Sequence, residues 1–351
     1  MKIKIGIIGV GNIAVSHIEA YLKNPNVELY AFCDINEKRL NYMGEKYKIT
    51  RLYTDKDEML ALEELDAVSV CTWNSAHAPC TIAALNAGKH VLCEKPMATS
   101  VADAVAMQEA ARRNGKLLMI GFVRRFGNDC KILKEFIDED YFGEFYYGKA
   151  TYLRRNGNPG GWFGDKSRSG GGPLIDLGVH VIDFVRYCWG NPKPVSVYGA
   201  TFHKLGDRRN LKTSKSYVSV SHTGEDVCDV EDLASAMIRF DNGAVLAVEA
   251  SFSLNLKNDQ GKIELFGTRG GAMINPELEL YTEVNGYMAD VNLKARTALS
   301  FDGLFENEIN HYVDCLVNGT ACLSPAEDGV AMMRILSAVY ESAASGHEVI
   351  L

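Results

Sequence analysis

The chain has 351 residues, 47% of them hydrophobic and 23% charged, the composition of an ordinary globular protein long enough for two cores. Its formal net charge of -8 argues against nucleic acid as the main partner. No apolar run approaches the roughly 18 residues that a membrane helix needs, and the opening Met1–Ile5 runs into a glycine turn as a first strand, not a signal peptide. The nine cysteines form no Cys-x-x-Cys pair. Cys33, Cys71 and Cys93 lie within apolar strand patterns. Reduced, buried thiols in a cytoplasmic protein are therefore expected, with no disulfide and no metal site.

In the first half, Lys2–Gly9 is a near-continuous apolar strand carrying Ile3, Ile5, Ile7 and Ile8. Gly9-Val10-Gly11-Asn12-Ile13-Ala14 follows, then a helical pattern to about Lys23. This is the Gly-x-Gly-x-x-Ala form of the dinucleotide fingerprint, whose glycines allow a tight turn and close approach of a pyrophosphate to the helix N-terminus. A second strand, Val27–Cys33, ends in Asp34, placed to accept hydrogen bonds from ribose hydroxyls and to repel a 2′-phosphate. Ile35, Asn36 and Glu37 offer no cation, and Lys38 and Arg39 read as helix surface, so NAD is preferred over NADP. Asp34 as a plain helix cap is the competing reading.

Strands and helices go on alternating: helix 40–47, strand 51–53, helix 57–65, strand 67–71, helix 79–87 ended by Gly88, strand 91–93, helix 101–114 closed by Gly115, strand 117–120. That pattern predicts a parallel doubly wound sheet. The loop from Thr72 to His77, including Asn74, leaves a strand at the carboxyl edge and can reach cofactor ribose or phosphate; His77 as a mere helix-start residue is equally open. The strand at Val91 ends in Glu94-Lys95-Pro96. A charged pair there is costly unless solvated, paired or used, and Pro96 restricts the Lys95 backbone. Lys95 reads as catalytic or substrate-holding, or as part of a loop ion pair.

After Gly121 the pattern changes. A helix from Asp129 to Asp138 leads into a long strand, 145–154. A glycine-rich stretch follows from Asn156 to Gly172 with Trp162 and Phe163, long enough and irregular enough to suggest function. From Leu174 the chain is helical, placing Asp176, His180 and Asp183 at i, i+4 and i+7 on one face. An Asp one turn before a His can orient the imidazole and stabilise its cation, as a general base requires; a structural Asp–His hydrogen bond is the plainer alternative. Strands 195–203, 232–240, 244–252 and 261–266, with shorter ones at 272–274 and 278–281, predict a largely antiparallel sheet with an Asn242-Gly243 hairpin. One face suits a subunit contact. The segment 207–229 reads as a surface loop, and helices end the chain at 305–316 and 325–344.

Gly9–Ala14, Asp34, Thr72-x-Asn74-x-x-His77, Glu94-Lys95-Pro96, Gly121-Phe122-x-Arg124-Arg125-Phe126, Trp162-Phe163, Gly170–His180 and the C-terminal helices, in that order, resemble the Gfo/Idh/MocA oxidoreductases, the family of glucose–fructose oxidoreductase and inositol dehydrogenase. The resemblance implies an α/β chain: a Rossmann domain over 1–121, then an α+β domain over 122–351 with an open, mostly antiparallel sheet, its helices at 305–345 returning to the first domain. It implies Lys95, Asp176 and His180 as the catalytic set. It further implies a cofactor site at Gly9, Gly11, Asn12, Ile13, Asp34, Thr72, Asn74, His77, Glu94 and Lys95, and homodimers or homotetramers. The run from Arg154 to Trp162 also resembles members acting on glycosides and aminosugars.

The expected function is NAD-dependent hydride transfer between nicotinamide and a secondary alcohol or ketone of a sugar, glycoside or cyclic polyol. The substrate is expected to meet Lys95, Arg124, Arg154, Trp162, Asp176 and His180 in a cleft between the domains. Arg124, Arg154, Arg155 and Arg168 could attract an anionic substrate, although solvation or structural carboxylates account for most such arginines. Rival functions are a redox-neutral glycoside-cleaving enzyme with tightly held NAD, a non-catalytic NAD(H)-binding protein, and a reductase of an imine or biliverdin-like carbonyl.

Overall fold

A computed structural model describes residues 2–212, 215, 217–275, 277–294 and 301–351. Its strands are β1 (Ile3–Ile8), β2 (Val27–Cys33), β3 (Leu52–Tyr53), β4 (Ala67–Val70), β5 (His90–Glu94), β6 (Leu118–Gly121), β7 (Phe145–Leu153), β8 (Pro194–Phe202), β9 (Leu233–Phe240), β10 (Val245–Ser251), β11 (Gln260–Gly267), β12 (Gly270–Ile274), β13 (Leu278–Val284), β14 (Tyr287–Val291) and β15 (Val349–Ile350). The helices are α1 (Asn12–Lys23), α2 (Glu37–Tyr47), α3 (Lys56–Leu60), α4 (Asn74–Asn86), α5 (Val101–Asn114), α6 (Asn128–Asp138), α7 (Lys166–Ser169), α8 (Val179–Cys188), α9 (Phe301–Asn318) and α10 (Ala326–Ser345). The chain forms two compact units, one of Met1–Val123 with Phe301–Met333, the other of Arg124–Ser300 with Arg334–Leu351.

The first unit is a six-stranded sheet in the order β3-β2-β1-β4-β5-β6, with every pairing parallel. This is the doubly wound order whose reversal between β1 and β4 marks the ligand crevice. All four residues of β4 are buried, as are the last four of β1, because helices cover both faces of such a sheet. Apolar runs such as Ile7-Ile8 and Val91-Leu92-Cys93 suit that double burial. The C-terminal α9 packs on α1 within this unit.

The second unit is a nine-stranded sheet in the order β14-β13-β12-β11-β7-β10-β9-β8-β15. Only β7 and β10 run parallel; the other pairs are antiparallel. Its strands alternate. On β9, Ala234, Ala236, Ile238 and Phe240 are buried while Met237 and Arg239 face outward. Leu177, Ala250 and Phe252 form a core cluster where the turn before α8 lies on β10.

Four local differences from the sequence reading have physical causes. Helix α4 begins at Asn74, five residues before Pro79, which lies inside it; proline lacks the N–H of one helical bond but does not end the helix. The segment Leu174–Gly178 is a π-helical turn, not the start of an α-helix. That wider turn changes the phase of Asp176 relative to α8, and Asp183 is buried in a pair with Arg125. Arg39 is not plain helix surface: its Nε donates to Val10 O at 2.8 Å and Nη2 to Gly11 O at 3.3 Å. Finally, β13 continues into a hairpin with β14 through Asn285 and Gly286, both at positive φ, the signature of an Asn-Gly turn. Of the expected surface loop 207–229, residues 213, 214 and 216 lie outside the described residues.

Candidate active site

In the first unit the glycine turn joins β1 to α1. Gly9 has φ +86°, and a Cβ there would lie 2.8 Å from Cys71 O. Only glycine fits both the angle and the approach. A Cβ at Gly11 would meet nothing within 4 Å, so the space above the start of α1 is open. Gly11 caps α1 with no side-chain hydrogen bond, and Asn12 and Ile13 open its first turn, where N–H groups and the helix dipole favour an anion. Asp34 stands beside this turn. Its Oδ2 accepts from Val10 N–H at 2.8 Å and its Oδ1 from Asn36 N–H at 2.8 Å. Each carboxylate oxygen keeps a lone pair for a ribose hydroxyl. An open phosphate cradle and an anchored acid fit a dinucleotide such as NAD.

The loop with Lys95 leaves β5 next to this turn's sheet edge. Lys95 is half-buried, and the Lys95–Pro96 peptide is cis. Two side chains brace the loop. His77 is 1% exposed, with Nδ1 2.7 Å from Pro96 O and Nε2 3.1 Å from Thr72 O. Burial pushes its basicity down more than the two carbonyls raise it. Thr72 Oγ1 donates to Trp73 O at 3.2 Å, and Asn74 is buried at the start of α4.

Glu94 is the second brace. Its Oε1 lies 2.8 Å from His17 Nε2, and its Oε2 accepts Lys95 N–H at 3.2 Å. His17 Nδ1 lies 3.3 Å from Ser69 Oγ, which also contacts Tyr21 OH at 2.8 Å. A second buried carboxyl, Glu308 of α9, is close enough for the His17, Glu94 and Glu308 polar atoms to lie within 4.8 Å of one another. Burial works to raise the Glu94 carboxyl, but the His17 hydrogen bond and charge, aided by Lys95, leave it below its usual value. Burial and the Glu94 charge push Glu308 well above its own. Of the two acids, Glu308 therefore holds a proton the more readily, as like charges in a low dielectric require.

In the second unit, Asp176 lies in the π-helical turn and His180 opens α8; both are half-buried. Arg154, just past β7, donates to Tyr152 OH at 3.3 Å and to Gly157 O at 3.4 Å. Burial works against its charge, but Tyr152 and Asp176 raise its basicity above the usual value. Arg154 and Asp176 thus share one electrostatic neighbourhood. Arg124 lies over the Phe184 ring, 5.4 Å from its centroid, and donates to Asp129 at 3.3 Å. Arg155 donates to Lys257 O at 3.0 Å, and Arg168 pairs with Asp165 at 3.3 Å. Trp162 stacks on Phe163 with ring centroids 3.9 Å apart.

Several supports of this site are invisible in local sequence. Glu231 is 3% exposed. It accepts Gly172 N–H at 2.9 Å, Leu174 N–H at 3.2 Å and Tyr340 OH at 2.8 Å. It therefore caps the turn that carries Asp176. A Cβ at Gly171 would fall 2.0 Å from Tyr340 Oη and one at Gly172 2.6 Å from Glu231 O, so the glycine run serves this packing. Arg125 and Asp183 form a bidentate pair at 2.9 and 2.6 Å with both side chains buried. Asp226 accepts Gly161 N–H at 2.6 Å and also bonds His222 and Thr223. Burial opposes its charge, but these bonds hold its carboxyl well below the usual range. The segment read as a bare surface loop therefore backs the glycine-rich stretch.

Residues 3–122 match the model of an oxidoreductase family with an NAD-binding Rossmann fold, and residues 131–273 match a GFO/IDH/MocA C-terminal domain. D-glucoside 3-dehydrogenase of Escherichia coli K12 is 33% identical over 350 residues, covering 99% of this chain and 97% of that protein. Myo-inositol 2-dehydrogenase of Thermotoga maritima is 32% identical over 267 residues, 76% of this chain and 73% of that one. The fold superposes on levoglucosan dehydrogenase in complex with NADH with a TM-score of 0.88, at 23% identity, over 100% of this chain and 99% of the other. Among the described residues no helix is long and apolar enough to cross a membrane.

Proposed function

We propose, for a chain that belongs to the GFO/IDH/MocA oxidoreductase family, that it oxidises a secondary alcohol of a sugar, glycoside or cyclic polyol, and reduces the matching ketone, with Lys95, Asp176 and His180 as the catalytic set. The observation that carries this reading is the contrast along one helix. Asp183 is locked in a buried ion pair, whereas Asp176 and His180, one turn apart, stay half-exposed, and Asp176 lies near a charged Arg154. The substrates in the relatives' names, a glucoside and an inositol, support this substrate class.

In this mechanism His180 takes the hydroxyl proton as the alcohol becomes a ketone, and returns it in the reverse direction. Asp176 orients the imidazole and stabilises its cation. Lys95 donates to the reacting oxygen and stabilises the charge that develops there. Bound NAD supplies the hydride acceptor. Gly9, Gly11, Asn12 and Ile13 hold its pyrophosphate, and Asp34 holds the adenosine ribose. Thr72 and Asn74 complete the nucleotide edge, while His77 and Glu94 act as positioning residues for the Lys95 loop. Arg124, Arg154 and Trp162 line the sugar. Asp34 favours NAD over NADP, because its carboxylate would repel a 2′-phosphate. The outward face of the large sheet, with Tyr146, Tyr198 and Met237 exposed, serves a homodimer or homotetramer.

The test is NADH formation across a panel of sugars, glycosides, inositols and sugar phosphates. Turnover with added NAD on at least one neutral secondary alcohol is expected. No NADH with any of them, or turnover without added cofactor, would count against the proposal. Asp34→Ala is expected to weaken NAD binding and to raise the relative use of NADP. An unchanged NAD/NADP ratio would remove Asp34 from the cofactor site.

A further inference from the structure

The end of α9 carries a second group of metal-competent side chains. His311 and Cys315 are one turn apart on the same face. The chain leaves the helix at Asn318 and reverses at Gly319, whose φ is +71°. Asp314 fastens this reversal by accepting from Asn318 Nδ2 at 2.5 Å and from Thr320 Oγ1. The turn brings Cys322 back onto the helix face. Beyond it the chain is tied to the six-stranded sheet, with Ile120 N–H donating to Ser324 O at 2.9 Å. The ligating atoms of His311, Cys315 and Cys322 then lie within 4.8 Å of one another, and all three residues are half-buried.

We propose that His311, Cys315 and Cys322 form a binding site for one thiophilic divalent cation, Zn²⁺ in the first instance. Zinc bonds of about 2.3 Å to sulfur and about 2.0 Å to nitrogen, at a tetrahedral angle, place ligand atoms roughly 3.3–3.8 Å apart. Cys315 Sγ already lies 3.4 Å from His311 Nε2. Leu323 N–H donates to Nε2 at 3.0 Å, so Nε2 is the unprotonated ring nitrogen, the form a metal needs. An ion takes over that lone pair and the two thiols release their protons, so affinity rises with pH. Partial exposure leaves an entry path and a fourth position for water. The other His and carboxylate group, His17 with Glu94 and Glu308, offers no such site. It is fully buried, and Ser69 and Glu94 engage both ring nitrogens.

The bound ion would clamp the α9–α10 reversal without touching the oxidoreductase chemistry. The test uses full-length protein, reduced and treated with chelator, titrated with Co²⁺ and then Zn²⁺. One equivalent of Co²⁺ should give the near-ultraviolet thiolate charge-transfer band and the visible bands of a four-coordinate ion, and Zn²⁺ should bleach them. Cys315→Ser and Cys322→Ser should each weaken binding by at least the ~10–100-fold that loss of an outer partner costs a metal site, and Cys228→Ser should not. Zn²⁺ should raise the melting temperature of the wild type and not of Cys322→Ser, with sugar turnover unchanged. A wild-type titration without the thiolate band, or a band that survives loss of both cysteines, overturns the proposal.

Discussion

Lys95 and Asp176 both lie outside regular α-helix and strand, and the two segments are braced by opposite chemistry. The Lys95 loop leaves the end of a strand and turns carbonyls inward. Its brace is an imidazole, His77, facing Pro96 O and Thr72 O. The Asp176 segment begins a helical run and presents N–H groups. Its brace is a carboxylate, Glu231, accepting from Gly172 and Leu174. A helix start leaves donors unsatisfied and carries partial positive charge, so an acid suits it even where burial raises that acid's pKa. Charge is handled differently too. In the first unit two buried acids, Glu94 and Glu308, lie close together and one raises the other's pKa, whereas in the second the buried Asp183 is matched by Arg125.

That comparison can be broken or sharpened by substitution. The largest effect is expected for Arg125→Met, which strands the buried Asp183 charge. Removing one partner of such a pair costs about 3–5 kcal/mol, read by denaturant unfolding. Arg125→Met with Asp183→Leu should recover most of the loss, and equal instability of the single and double variants would contradict the ion-pair account. An intermediate effect is expected for His77→Ala, which leaves two carbonyls without their imidazole. A loss of about 1–3 kcal/mol should accompany a fall in kcat through the loosened Lys95 loop. A variant with unchanged melting temperature and turnover would show that the loop needs no brace.

The smallest effect, and one that depends on pH, is expected for Glu308→Gln. The folded state keeps a proton on Glu308 that the unfolded chain loses near the ordinary glutamate value, about 4.3. Wild-type stability therefore contains a penalty that is absent below that pH and grows as pH rises toward the folded pKa. Glutamine stays neutral throughout. The variant should match the wild type in acid and melt higher at neutral pH, by roughly 2–4 °C for each ~1 kcal/mol of penalty removed. A difference independent of pH would place the proton elsewhere.

Sequence patterns made the first unit legible because its signals are local and mutually consistent. Gly9, Gly11 and Asp34 lie within one strand–turn–helix–strand stretch, and the apolar runs of β1, β4 and β5 match burial on both faces. The alternating strands β7 to β13 were legible for the same reason. What escaped depends on contacts distant along the chain or on backbone detail. Glu231 is 59 residues from Gly172, and nothing near either announces the cap. The π-helical turn at Leu174–Gly178 has no periodicity of its own, and the burial of Asp183 depends on Arg125, 58 residues away. Strand β14 is mostly exposed, without a clear apolar alternation, although Asn285-Gly286 was a usable hairpin signal. Arg39, read as helix surface, reaches the glycine turn because a folded turn, not sequence spacing, decides its partners.

The central claim is that His180 is the proton acceptor for a hydroxyl whose carbon gives up hydride. The direct measurement is single-turnover NADH formation by His180→Ala on a substrate found in the panel, with NAD affinity measured on the same preparation. The account predicts a loss of about 10²–10⁴ in the rate of the chemical step with NAD binding nearly unchanged. A variant that keeps more than half of the wild-type rate would contradict it.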